Sequence, residues 1–140
     1  MAASNARRSN GSLRNKMRAR LAAKRRGCWM CGLPIDYNLP AGHPHAYECD
    51  ELVPVSKGGS PYDPANLDAA HRLCNQWRGN LSVAAVAAAR SAALADGRPW
   101  STPEEFASVM REYARDRTRA VRRARKLSEA LRGGNDGIGH

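Results

Sequence analysis

A chain of 140 residues has room for one compact domain with extensions. With one Phe, four Cys and an aliphatic complement dominated by Ala, its core is small, and a metal or disulfide staple is expected to help close it. No apolar run approaches a membrane span and no apolar signal segment opens the chain, which argues against a membrane protein and predicts a cytoplasmic one.

In a reducing compartment, cysteines paired at two-residue gaps favour metal over disulfides. The net charge of +10 is unevenly spread. Residues 1–26 carry nine Lys or Arg and no acid, 111–132 carry nine basic and three acidic residues, and 27–110 carry five basic and nine acidic. Basic flanks around an acidic centre suit a metal-dependent enzyme acting on a polyanion, because the flanks bind phosphates and the centre binds cations.

In chain order, residues 1–12 are polar and predicted to be disordered. From Leu13 to Arg26 good helix formers dominate, with Leu13, Met17 and Leu21 on one face, and Gly27 ends the helix. The segment 32–42, with Pro34 and Pro40, reads as an irregular loop. Residues 46–55 are strand-like, ending near Pro54. Lys57-Gly-Gly-Ser-Pro is turn chemistry, and Leu67–Trp77 is predicted helical up to Gly79-Asn80. The Ala-rich segment Ser82–Asp96 is a third helix, with Gly97 at its C-terminus. Thr102, Pro103 and Glu105 form a capping box that starts a helix able to run to Arg132. The expected organisation is a basic arm (1–26), a core (27–80), a helical extension (81–132) and a frayed tail (133–140).

Cys28-x-x-Cys31 and His71-x-x-Cys74 are two chelating pairs. A two-residue gap lets both side chains of a pair reach one ion, and tetrahedral zinc accepts thiolate and imidazole together. These four residues are the predicted structural zinc ligands. Cys49 leaves an all-cysteine site conceivable, but the matched spacing favours His71. Strand alternation sets Cys49 and Asp50 on opposite faces and makes Cys49 a small core residue.

The run Tyr47-Glu-Cys-Asp50-Glu51-Leu-Val-Pro-Val-Ser-Lys-Gly-Gly, then Asn66 and His71-Arg-Leu-Cys74-Asn75-Gln-Trp-Arg78-Gly, read with Cys28 and Cys31, resembles HNH endonucleases of the zinc-clasped phage and restriction type over residues 28–80. The resemblance implies an α+β fold: a small ββα-metal core stapled by zinc, flanked by the basic N-terminal arm and C-terminal helices. It implies hydrolysis of DNA phosphodiester bonds around one Mg²⁺ or Mn²⁺ on Asp50 and Asn75, with Asn66 holding the hairpin loop and orienting the general base. That base falls on Glu51, where the family most often has histidine. An unperturbed carboxylate is a weaker base at neutral pH than imidazole, so Glu51 is read as the base, as a second metal carboxylate, or as the mark of a lost activity. His43 and His45, in the loop before the strand, are alternative bases. Arg72 and Arg78 are candidate phosphate contacts, and Arg25, Arg26, Arg119 and Arg122 extend a DNA-binding surface. Trp77 is expected to pack on the hairpin. DNA is the expected partner, and by resemblance alone a phage terminase. The alternative reading is a non-catalytic zinc-stapled DNA-binding or packaging accessory.

Overall fold

The computed structural model describes residues 2–115 and 126–133. It is a small α+β structure in the order α1 (Ala2–Ala23), β1 (Tyr47–Glu51), β2 (Leu67–His71), α2 (Arg72–Arg78), α3 (Val83–Ala95) and α4 (Pro103–Arg115), with residues 126–133 also helical. Among these residues no helix is long and apolar enough to cross a membrane.

The helix α1 begins at Ala2, where disorder was expected. Met17 and Leu21 anchor its C-terminal half in the core, and once a helix is nucleated each added Ala or Arg extends it at little cost. It ends at Ala23, before Gly27, because Lys24 and Arg25 donate to Leu21 and Ala22 in tighter i→i−3 bonds and Arg25 turns to φ 50°. The arm is therefore not separate from the core: α1 packs across both strands, and the Tyr47 hydroxyl donates to the Arg18 carbonyl at 2.9 Å.

The strands β1 and β2 form an antiparallel hairpin in unbroken register from Tyr47↔His71 to Glu51↔Leu67. The predicted helix over Leu67–Trp77 is thus half strand. Alanine favours helix, but Ala69 and Ala70 are fully buried, and pairing with β1 overrides propensity. The helix proper starts at Arg72. The strand predicted over 46–55 stops at Glu51, and Val55–Lys57 forms a 3₁₀ turn. This turn needs its glycines: Gly58 sits at φ 90°, and a Cβ on Gly59 would lie 1.7 Å from the Val53 carbonyl oxygen.

The C-terminal helices start as their caps prescribe. Ser82 Oγ accepts from Ala85 N at 3.1 Å, and Thr102 Oγ1 from Glu105 N at 3.1 Å, while the Glu105 carboxylate reaches back to Ser101 N rather than to the cap residue. On α4, Phe106 is fully buried between Trp77 of α2 and Trp100, edge-on to both at 5.4 and 5.1 Å. The helix is described only to Arg115. The remainder of the expected long helix, with Arg119 and Arg122, falls in residues 116–125, outside the described residues, as do residues 134–140 of the expected tail.

Candidate metal centre and cleft

The hairpin carries one candidate centre at each end. At the first, the turn Cys28–Cys31 is closed by Cys28 N donating to Leu33 O and Gly32 N to Cys28 O, both at 2.9 Å. The Trp29 N–H donates to the Ala69 carbonyl, which ties this turn to β2. His71 closes β2, and Cys74 lies one turn into α2. Cys28, Cys31, His71 and Cys74 are all buried, and their ligand atoms lie within 4.8 Å of one another. The cluster could hold a metal ion such as zinc.

The donor set fits zinc in detail. His71 Nε2–H donates to the Pro34 carbonyl at 3.0 Å, so the lone pair sits on Nδ1, which faces Cys31 Sγ at 3.3 Å and Cys74 Sγ at 3.9 Å. A backbone carbonyl that fixes the far nitrogen is the usual support of a ligating histidine. The thiols crowd one another: hydrogen bonds from Cys31 and Cys74 pull the Cys28 thiol far below its ordinary range, and the bonds to Cys28 and Cys31 push Cys74 far above it. Burial acts downward on His71, but its bonds to Cys28 and Cys31 outweigh it and raise the imidazole from 6.5 to about 10.

Cys49 is no part of this group. It is half-buried in β1 opposite Ala69, and burial raises its thiol. His45 pairs with Glu104 of α4 and meets the His71 ring edge-on at 6.0 Å, which places it at the metal end of the hairpin, away from Glu51. His43 Nδ1 accepts from the His45 N–H in the same loop. Trp100 Nε1–H donates to the Cys31 carbonyl at 2.8 Å, so the segment leading into α4 is fastened to the metal turn.

At the other end, the hairpin opens onto a cleft of about 510 Å³ whose lining includes Asp50, Glu51, Lys57, Asn75, Arg78 and Asn80. Asn66 builds its rim. The side chain accepts from Val53 N at 2.9 Å and donates to Val53 O and Ser60 O at 2.9 and 3.0 Å, pinning the loop after β1. Because β1 is regular to its end, Asp50 and Glu51 project to opposite faces, and Glu51 meets the cleft where the strand stops. Asp50 points toward α2 and is 7% exposed. Its Oδ2 accepts from Arg78 Nη1 at 2.6 Å and Trp29 Nε1 at 2.9 Å. Burial raises the Asp50 carboxyl above its ordinary range, with Arg78 and Trp29 pulling it part of the way back.

No family model, curated protein or solved structure matches the chain. The functional reading therefore rests on the geometry and on the motif.

Arg78, expected to meet a phosphate, is 4% exposed and faces inward. Besides Asp50 it donates to the carbonyls of Glu51 (3.0 Å), Leu52 (2.5 Å) and Leu81 (3.0 Å), and its guanidinium lies 5.1 Å from the Trp29 ring centroid. The guanidinium is thus committed to four acceptors within the protein, although Arg78 also borders the cleft. Asn75 Nδ2 donates to Glu48 Oε2 at 2.7 Å. Glu48, two residues before Asp50 and on its face, is a neighbour that the motif left out, although the period of the strand makes it legible. Arg72 keeps partial exposure near Glu48, at 4.0 Å. Arg25 lies over Tyr37, and Arg26 is 3.8 Å from Asp68.

Proposed function

We propose that this chain is a zinc-stapled ββα-metal nuclease of the HNH type that hydrolyses DNA phosphodiester bonds. The observation that carries the reading is the single cleft onto which Asp50, Glu51 and Asn75 open, at the end of a hairpin whose loop Asn66 holds. Zinc on Cys28, Cys31, His71 and Cys74 would be structural, since a closed set of four ligands leaves no open position for chemistry.

A hard divalent cation fits the donor chemistry of the cleft. The oxygens Asp50 Oδ1 and Asn75 Oδ1 take no hydrogen bond among the described residues, and carboxylate and carboxamide oxygens suit Mg²⁺ or Mn²⁺. Bound there, such an ion would supply Lewis-acid stabilisation of charge on the phosphoryl oxygens. The chain itself supplies the rest. Glu51, half-exposed at the strand end, accepts a proton from the attacking water, and the Asn66 staple keeps that strand end in place. Lys57, on the cleft wall, offers an ammonium to a phosphate. On α1, Arg14, Lys16, Arg18 and Arg20 are exposed around the buried Met17, a basic surface for sequence-independent grip on the backbone.

A second reading is favoured by one specific observation, a carboxylate at Glu51 where the resemblance expects histidine: a non-catalytic DNA-binding protein that keeps the fold after losing the base. Supercoiled-plasmid nicking in Mg²⁺, Mn²⁺ or EDTA separates the two. The nuclease nicks only with the cation, fails as Glu51→Gln and Asp50→Ala, and keeps activity as Glu51→His. A wild type that binds DNA in a salt-dependent manner but never nicks it, while Glu51→His does, establishes the second reading.

A further inference from the structure

On the nuclease reading, Asp50 must present an oxygen to the cleft while lying almost wholly inside the protein. A buried carboxylate has no solvent to hold it, so its aim depends on the groups that take its other oxygen. Two groups do so here. Trp29 Nε1–H, from the metal turn, and Arg78 Nη1–H, from α2, converge on the same atom, Oδ2, at 2.9 and 2.6 Å. Both hydrogen bonds on one oxygen leave the other, Oδ1, as the atom that can turn to a ligand.

The same guanidinium also fixes the strand end that carries Glu51. Its Nη1 and Nη2 donate to the Glu51 and Leu52 carbonyls, and its Nε to Leu81 beyond α2. Arg78 thus ties together three segments beside the cleft: the end of β1, α2, and the link to α3. Its stacking against Trp29 completes a closed arrangement in which each group restrains the next. A lysine could reproduce the charge but only part of this fork, because the guanidinium aims its donors in a fixed plane.

We propose that Arg78 is the positioning residue of this site: through Oδ2 it aims Asp50 at the cleft, and through the Glu51 and Leu52 carbonyls it sets the strand end bearing the base, without itself touching DNA. The proposal rests on the nuclease reading for what Asp50 and Glu51 do. Its first readout, Mn²⁺ binding, is independent of cleavage.

The test uses the full-length, zinc-loaded chain, with Mn²⁺ binding followed by electron paramagnetic resonance of the free ion. Wild type is compared with Trp29→Phe, Arg78→Lys, Arg78→Met, Asp50→Asn and the double variant Asp50→Asn/Arg78→Met, each checked for zinc content and helicity. Arg78→Met is expected to weaken Mn²⁺ binding by about 10- to 100-fold, the range for losing a group that orients a metal ligand. Arg78→Lys is expected to recover part of that loss, and Trp29→Phe, which keeps the ring but drops the N–H, to lose only a few-fold. In the Asp50→Asn background, Arg78→Met should have no further effect, because its role runs through Asp50. A role limited to general stability would instead add to the loss in that background, and lysine would not rescue it. In plasmid nicking, Arg78→Met should lower kcat while leaving KM for DNA and the salt dependence of binding unchanged.

Tighter Mn²⁺ binding in Arg78→Met would overturn the proposal, since it would show the guanidinium blocking the site. Absence of Mn²⁺ binding by wild type, or equal losses with and without Asp50, would overturn it too. If Arg78→Met fails to retain zinc, Trp29→Phe and Arg78→Lys decide by the same criteria. Wild type that binds Mn²⁺ through Asp50 and Arg78 as described, yet never nicks DNA, sinks the nuclease reading and leaves the positioning role standing.

Discussion

The two ends of one short hairpin solve opposite problems. At the His71 end, four soft or borderline donors are drawn together out of water, and the surrounding backbone carbonyls of Pro34 and Cys31 are matched to His71 and Trp100. At the Glu51 end, hard oxygens line an open cleft, and the one carboxylate that is buried is held by a guanidinium. The first end gains by being closed, because a complete ligand set leaves an ion nothing further to bind. On the nuclease reading the second has to stay open to a ligand, and its order comes from side chains that clamp backbone: Arg78 on Glu51 and Leu52, and Asn66 on Val53 and Ser60. Stability and chemistry are thereby, on that nuclease reading, separated along about five residues of strand, roughly 17 Å at 3.4 Å per residue.

On the reading of the cluster as a zinc site, removal of the metal is the largest test of that separation. Binding free energy at a structural zinc site is about 10–16 kcal/mol in small metal-dependent folds, comparable to or larger than the total stability of a typical domain. A strong chelator, or Cys31→Ser, should therefore leave the hairpin only marginally folded. It should also release α4, since Trp100 is fastened to the Cys31 carbonyl. Far-ultraviolet circular dichroism and amide exchange across 28–36 and 100–114 would measure this. Survival of α4 packing in the metal-free chain would show that the helical extension folds independently of the staple.

The protons at the cluster give the same comparison a sign. In the metal-free fold His71 holds its proton up to about 10, so the pairing it contributes is fully present below 6.5 and is lost as the pH rises through 10. Metal binding needs the neutral imidazole and thiolates. Zinc uptake at pH 7 should therefore expel protons from His71 and from the raised Cys74, and apparent affinity should fall as the pH is lowered. Calorimetry in buffers of different ionisation enthalpy counts these protons. Uptake with no proton release would mean that His71 is not a ligand.

Phe106→Ala probes the packing that joins the two ends to the extension. The ring is fully buried against Trp77 and Trp100, so its loss should cost about 3–5 kcal/mol. Chemical denaturation of the zinc-loaded protein would report it, and a cost below about 1 kcal/mol would place Phe106 at a loosely packed surface.

The legibility of these regions in the sequence follows the range of the interactions. The cluster of Cys28, Cys31, His71 and Cys74, which could hold a metal ion, was legible directly, because two short, matched spacings bring those four side chains together. The caps at Ser82 and Thr102 were legible for the same reason: each bond spans only three residues. The strand β2 was not. Leu67-Asp68-Ala69-Ala70 carries no alternation and favours helix, and only its partner across the sheet makes it extended. Nor was the burial of Arg78 visible, since a charged residue on a seven-residue helix reads as surface until Asp50 and Trp29 are known to lie opposite. The α+β class with a two-stranded antiparallel sheet was anticipated, and it came from the family resemblance rather than from the local pattern of residues 67–71.

Asn66→Ala gives the smallest stability change and the sharpest localisation. The side chain makes three hydrogen bonds, all to backbone of residues 53 and 60, in a loop partly open to water. Each such bond is worth about 0.5–1.5 kcal/mol net, and the freed Val53 and Ser60 groups can turn to solvent, so the total loss should be about 1–3 kcal/mol. Zinc content should not change, because Asn66 lies at the opposite end of β2 from His71. What should change is the rim of the cleft: faster amide exchange at Val53 and, on the nuclease reading, a fall in kcat larger than the loss of stability explains. Asn66→Asp separates the contributions further. It keeps the acceptor for Val53 N but replaces the donor to Val53 O and Ser60 O by an oxygen that repels them. It should therefore be worse than Ala for the loop while leaving the metal cluster untouched. If either variant loses zinc, the two ends of the hairpin are one cooperative structure, and the separation argued from their geometry is wrong.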